Sequence, residues 1–214
     1  MLPKVSRMTR MKQMDAVKRH IRLSMELVMC MVCAMAFGLA AVAVNFAPLF
    51  YGDDFAYSGT LMMPLSFTLL SIGFANVIRT QWVLPQGRDT IFVHSVLTGA
   101  VINLIANFVL IPPFGAMGAA AATVLAEFSV PAVQFVYLRK ELPYAQYLKT
   151  TGVYCLFGLV MAGAVVLLGH VLPLHGWGKL AVQVTGGAAV YGALCLTYWK
   201  LAKRSDIFRL MRRK

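Results

Sequence analysis

The sequence predicts an all-α, polytopic membrane protein with six transmembrane helices and both termini on the cytoplasmic side. Its 214 residues are 59% hydrophobic and 13% charged, with mean hydropathy +0.71. An ordinary soluble domain carries about 25% charged residues. The charges are clumped, and between the clumps lie apolar runs of about 20 residues, the length a helix needs to cross roughly 30 Å of hydrocarbon. Helices are the expected form because each must satisfy its backbone hydrogen bonds internally.

Residues 1–22 read as a basic cytoplasmic segment, 23–202 as the transmembrane region and 203–214 as a basic cytoplasmic tail. The first span is Leu23 to Phe50. It is too long for a signal-peptide core and follows a long basic stretch, so it stays with the chain. The second is Leu61 to Ile78. The third, Ile91 to Ile111, ends at Pro112 and Pro113, which cannot continue a helix. Gly115 opens a tight turn into the fourth, Ala116 to Tyr137. Gly115, Gly118, Ala119 and Ala122 have the small-residue spacing that lets two membrane helices pack closely. The fifth and sixth spans are Thr151 to Leu172 and Leu180 to Leu201.

Orientation follows from charge. Nineteen of the 20 Lys and Arg residues fall in the N-terminal segment, the loops after the second and fourth spans, and the tail. The opposite loops, "YGDDFAYSG", "PPFG" and "PLHGWGK", hold Lys179 alone. That asymmetry is a positive-inside signal, and it accounts for the net charge of +12 without a nucleic-acid partner. The tail reads either as a solvated topology signal or as an amphipathic helix on anionic lipid. Cys30 and Cys33 form a CxxC inside an apolar run. With Cys155 and Cys195 they read as small packing residues, with no disulfide framework.

Charged groups within spans cost on the order of 2.5–3.5 kcal/mol and usually face a bundle interior or a watery cavity. Glu127 is the carboxylate nearest the middle of a span. Ala120, Thr123, Glu127, Pro131 and Gln134 share its helical face. Glu127 reads as a cavity-lining acid or as a structural hydrogen-bonding group. Asn103 and Asn107, four apart, read as interhelical glue or as a second polar stripe. Asn76 and Arg79 end the second span; Arg79 either snorkels to headgroups or serves a phosphate. Glu26 and His94 read as interfacial. His170 and His175 lack a carboxylate partner, so no metal site is expected. No nucleophile elbow, phosphate loop or zinc motif occurs, which argues against an enzyme and against a cofactor.

The stretch "IRTQWVLPQGRDTIFVHSVLTGAVINLIANFVLIPPFGAMGAAAATVLAEF" resembles the corresponding segment of bacterial polysaccharide flippases of the multidrug/oligosaccharidyl-lipid/polysaccharide exporter superfamily. The matching positions run from Arg79, Thr80, Gln81, Leu84, Pro85, Arg88 and Asp89 through Gly99, Asn103, Asn107 and Pro112 to Thr123 and Glu127. "LPKVSRM" (Leu2 to Met8) and "LFYGDDF" (Leu49 to Phe55) are similar to further family loops. The likeness covers residues 2 to 145 and is strongest to capsular and exopolysaccharide repeat-unit flippases. It implies part of the C-terminal lobe of a two-lobe flippase. Its expected substrate is a polyprenyl-diphosphate-linked oligosaccharide, moved across the cytoplasmic membrane of a bacterium. The substrate-facing set is then Asn76, Arg79, Asn103, Asn107, Thr123, Glu127 and Gln134. Expected partners are membrane lipid, an N-terminal lobe or upstream polypeptide, and polymerases or glycosyltransferases of the same pathway. A multidrug/cation antiporter fragment and a non-transporting membrane scaffold are the alternatives. Such flippases have twelve to fourteen spans, so the chain is expected to be a C-terminal portion that does not flip lipid alone.

Overall fold

The computed structural model describes residues 14–173 and 175–201. The segment Leu2 to Met8, the basic residues Lys4, Arg7, Arg10 and Lys12, and the tail after Leu201 lie outside the described residues. Helix α1 is Met14–Tyr51, α2 Ala56–Ser66, α3 Thr68–Ile78, α4 Asp89–Leu138, α5 Tyr144–Val171 and α6 Gly176–Leu201. No strand occurs among the described residues. Counting Asp53–Gln86 as one segment, five helical segments among the described residues are long and apolar enough to cross a membrane.

α1 begins nine residues before the predicted Leu23. Asp15 lies in its first turn, where the helix dipole favours an acid. Ile21, Met25, Met29, Cys33 and Phe37 recur every four residues on one buried stripe. That stripe packs against α5 and α6, where Tyr147, Tyr154, Met161, Val165 and Tyr191 complete the core. Glu26 lies on the same side. Rather than being interfacial, it is 2% exposed, and its Oε1 accepts a 3.2 Å hydrogen bond from the Tyr154 hydroxyl. Trp199 Nε1 in turn donates to that hydroxyl at 2.9 Å. The sequence places Glu26 one turn inside an apolar run; the longer α1 sets it twelve residues from the helix start, inside the bundle.

The predicted second span is two helices jointed at Phe67. Pro64 supplies no amide hydrogen there. Ser66 and Thr68 turn their hydroxyls back onto the carbonyls of Met63 and Leu65, each at 2.7 Å, a local bond that bends helices. After α3 the coil widens to a π-turn, Arg79–Val83, then tightens through Leu84–Gln86 to Gly87 at φ +66°.

α4 has 50 residues, and a straight helix of that length would reach about 75 Å. It is bent back at Gly115 (φ 54°, ψ −132°). The prolines do not end the first arm: helix continues through Pro112 and Pro113. Their φ near −65° suits a helix, and the carbonyls that lose partners belong to Phe108 and Val109, both well exposed. The turn waits for Gly115 because that backbone region is open to glycine.

The two arms, residues 89–114 and 116–138, are zipped along their length. A Cβ at Gly118 would meet the Leu110 carbonyl oxygen at 2.0 Å, and one at Gly99 would meet Val130 and the Ala126 carbonyl at 3.2 and 3.3 Å. Farther along, the His94 ring and the Tyr137 hydroxyl are 3.0 Å apart. Arg88 and Glu141 close the open end.

Candidate functional site

A cavity of about 350 Å³ lies between α3 and the two arms of α4. α3 contributes Asn76, the π-turn that follows it Arg79, the first arm Asn103, and the second arm Thr123, Glu127 and Gln134. Phe92, Val96 and Val130 supply apolar wall. Six of the seven residues picked from sequence therefore meet in one place. Asn107 faces away, into a shallow apolar groove by Phe108 and Pro112. It reaches the cavity indirectly, through a 2.9 Å hydrogen bond from its Nδ2 to Asn103 Oδ1.

Helical spacing explains the convergence. Asn76 and Arg79 are three apart; Thr123, Glu127 and Gln134 are four and seven apart, so each set lines one face. Ser71 Oγ donates to the backbone carbonyl of Glu127, fastening α3 to the second arm at that turn. The Thr123 hydroxyl is occupied by the Ala119 carbonyl at 3.0 Å.

The π-turn that starts at Arg79 is the kind of helix defect that often accompanies functional positions. The Arg79 guanidinium lies 4.4 Å from the centroid of the Phe92 ring, a cation–π contact. Its Nε is buried without a hydrogen-bond partner, as is Gln134 Oε1. Among the described residues neither Arg79 nor Glu127 is in a salt bridge. The cavity thus holds one cation, one acid and three amides whose hydrogen-bonding capacity is largely unspent. Sequence reasoning missed Phe92; its three-residue offset after Asp89 at the start of an arm gave no hint of contact with Arg79.

A clasp closes the cytoplasm-predicted end. Arg88 Nη1 donates to Glu141 Oε1 and Oε2 at 2.8 and 2.6 Å, and Trp82 Nε1 donates to Oε2 at 3.0 Å. Partial burial raises the Glu141 carboxyl, but the hydrogen bonds from Arg88 and Trp82 and the charges of Arg88 and Lys18 outweigh it. The carboxyl is left below its ordinary value. A second, apolar groove of about 560 Å³ runs between α1, α5 and α6, with Gln183 and Tyr191 on its wall. No metal-ligating cluster of three or more His, Cys, Asp or Glu occurs among the described residues.

An apolar helical bundle with a polar cavity between its helices defines a multi-pass membrane protein. The sequence model of the lipid II flippase MurJ family matches residues 1–185, and the chain belongs to that family. Its fold is similar to that of a solved lipid II flippase MurJ in an inward closed conformation, with a TM-score of 0.75 at 15% identity. The match covers 92% of this chain and 41% of that one, so the chain spans less than half the length of the flippase it resembles. No curated protein matches it significantly.

Proposed function

We propose that the chain is a C-terminal portion of a flippase for a polyprenyl-diphosphate-linked saccharide, and that its α3–α4 cavity faces the headgroup. The observation that carries this is the meeting of Arg79, Glu127 and the amides of Asn76, Asn103 and Gln134 in one cavity. A guanidinium with free donors suits a diphosphate; amides and an acid suit sugar hydroxyls and amide groups. The family match favours a lipid II-type precursor as substrate. A capsular or exopolysaccharide repeat unit, which the RTQ–LP–RD resemblance favours, is the second candidate. Two or three helices wall only one side of an enclosure, and an N-terminal lobe, in the same or another polypeptide, supplies the other.

The proposed topology has six crossings, α4 counting as two, with both termini in the cytoplasm. It is supported by the charge asymmetry and by the place of Gly115 opposite the Arg88–Glu141 clasp. Alternating access by rocking of lobes fits such an arrangement. The reading makes the protein a transporter, with no catalytic or cofactor chemistry of its own.

The test is flipping of fluorescent lipid II and of a lipid-linked capsular repeat unit in proteoliposomes holding this chain with an N-terminal lobe. Arg79→Ala removes charge-assisted hydrogen bonds of about 1.5–3 kcal/mol each, so substrate affinity falls at least tenfold. Glu127→Gln lowers transport while insertion and expression stay normal. Unchanged affinity and transport in both variants overturn the assignment. Robust flipping by this chain alone refutes the need for a second lobe.

A further inference from the structure

All four cysteines pair across helices. Cys30 Sγ on α1 lies 3.7 Å from Cys195 Sγ on α6, and Cys33 Sγ on α1 lies 3.8 Å from Cys155 Sγ on α5. In sequence these residues read as packing. A single buried thiol needs no more explanation than that. Two independent pairs that consume every cysteine of the chain, each spanning a helix boundary, are a different arrangement. Residues three apart on a helix lie about 60° apart around it, so one CxxC addresses two neighbours at once.

We propose that Cys30–Cys195 and Cys33–Cys155 form an oxidative modification site: two thiol pairs that a lipid-soluble two-electron oxidant converts to disulfides. The sulfurs already touch, and each gap closes to about 2.05 Å on bonding, within reach of side-chain rotation and a small shift. In each pair one S–S bond replaces two S–H bonds. Two protons and two electrons pass to the oxidant. The bridges tie α5 and α6 to α1 and fix the width of the apolar groove between those three helices. In the reduced state each pair is held by a weak S–H···S contact, so neither thiol is stranded.

The purified full chain, in proteoliposomes, is treated with diamide, a neutral permeant diazene whose N=N bond takes up both hydrogens. Intact mass falls by about 4 Da, two per bridge, and digestion recovers peptides linked 30–195 and 33–155. Cys195→Ser limits the loss to about 2 Da and leaves the 33–155 link alone; Cys155→Ser leaves the 30–195 link alone. A 30–33 link within α1, or four thiols that stay reactive to maleimide after diamide, overturns the proposal. The mapping needs no variant, so a poorly folding substitution does not protect the idea.

Discussion

Gly118→Ala is the sharpest test of the α4 hairpin. The added Cβ would sit 2.0 Å from the Leu110 carbonyl oxygen, 2.5 Å from its carbon and 3.0 Å from the Ile111 nitrogen. These are backbone atoms of the opposite arm, so no rotamer can relieve the clash. Ordinary contact begins near 3.4 Å, and the arms must part by more than 1 Å beside Gly115. Overpacking of this kind costs about 1–3 kcal/mol, occasionally more. Alanine's better helix propensity returns up to about 1 kcal/mol, leaving a net loss of up to about 2 kcal/mol. The control is Gly152→Ala on α5, where a Cβ meets nothing within 4 Å; there the propensity gain stands alone. Unfolding in mixed micelles, followed by circular dichroism against detergent fraction, compares the two. The propensity gain is common to both, so the variants should separate by the overpacking cost, about 1–3 kcal/mol. If Gly118→Ala is as stable as Gly152→Ala, the arms are not in contact and the hairpin is wrong.

Gly115→Ala forces a side chain into φ 54°, ψ −132° and should cost about 1–3 kcal/mol in the same assay; an unchanged midpoint would refute the turn. The clasp carries a pH signature. Because the folded Glu141 carboxyl lies below its ordinary value, its contribution is present above that ordinary value and fades as pH falls through the folded one. In a chain whose sole tryptophan is Trp82, acid titration should show a fluorescence transition below the usual carboxylate range, absent in Glu141→Gln. Gln183 bridges the Val165 carbonyl at 3.1 Å and Asn45 at 3.3 Å. Gln183→Leu should lose only about 0.6–1.7 kcal/mol, as membrane interhelical hydrogen bonds do; a loss above about 3 kcal/mol would show that the pair does more than join helices.

Hydropathy and charge revealed the helices and their spacing because length and polarity alone decide what can be buried in hydrocarbon. Thr123, Glu127 and Gln134 were legible as one stripe because a helix fixes its own faces. Their meeting with Asn76 and Arg79 was not derivable from periodicity, since it depends on how far α4 folds back on α3. The same limit hid the joint at Phe67: Pro64 was visible, but the hydroxyls of Ser66 and Thr68 that complete the bend act only once the chain is bent. Gly115 was legible as the turn, but Pro112 and Pro113 ended the third span too early, at Ile111, because a proline's fixed φ is helical and the arm runs on to the glycine. Glu26 was misread because its burial comes from Tyr154, which lies 128 positions away.

The zipped α4 hairpin has a mechanical consequence. Its first arm, 26 residues from Asp89 to the break, is about 39 Å long. With Gly115 as the pivot and the arms moving as one stiff beam, a 5° tilt displaces the Arg88–Glu141 end by about 3.4 Å. Glu127 sits nearer the pivot and travels less than half as far. The hairpin is thus geared: one rotation carries its far end more than twice as far as the polar groups around Glu127.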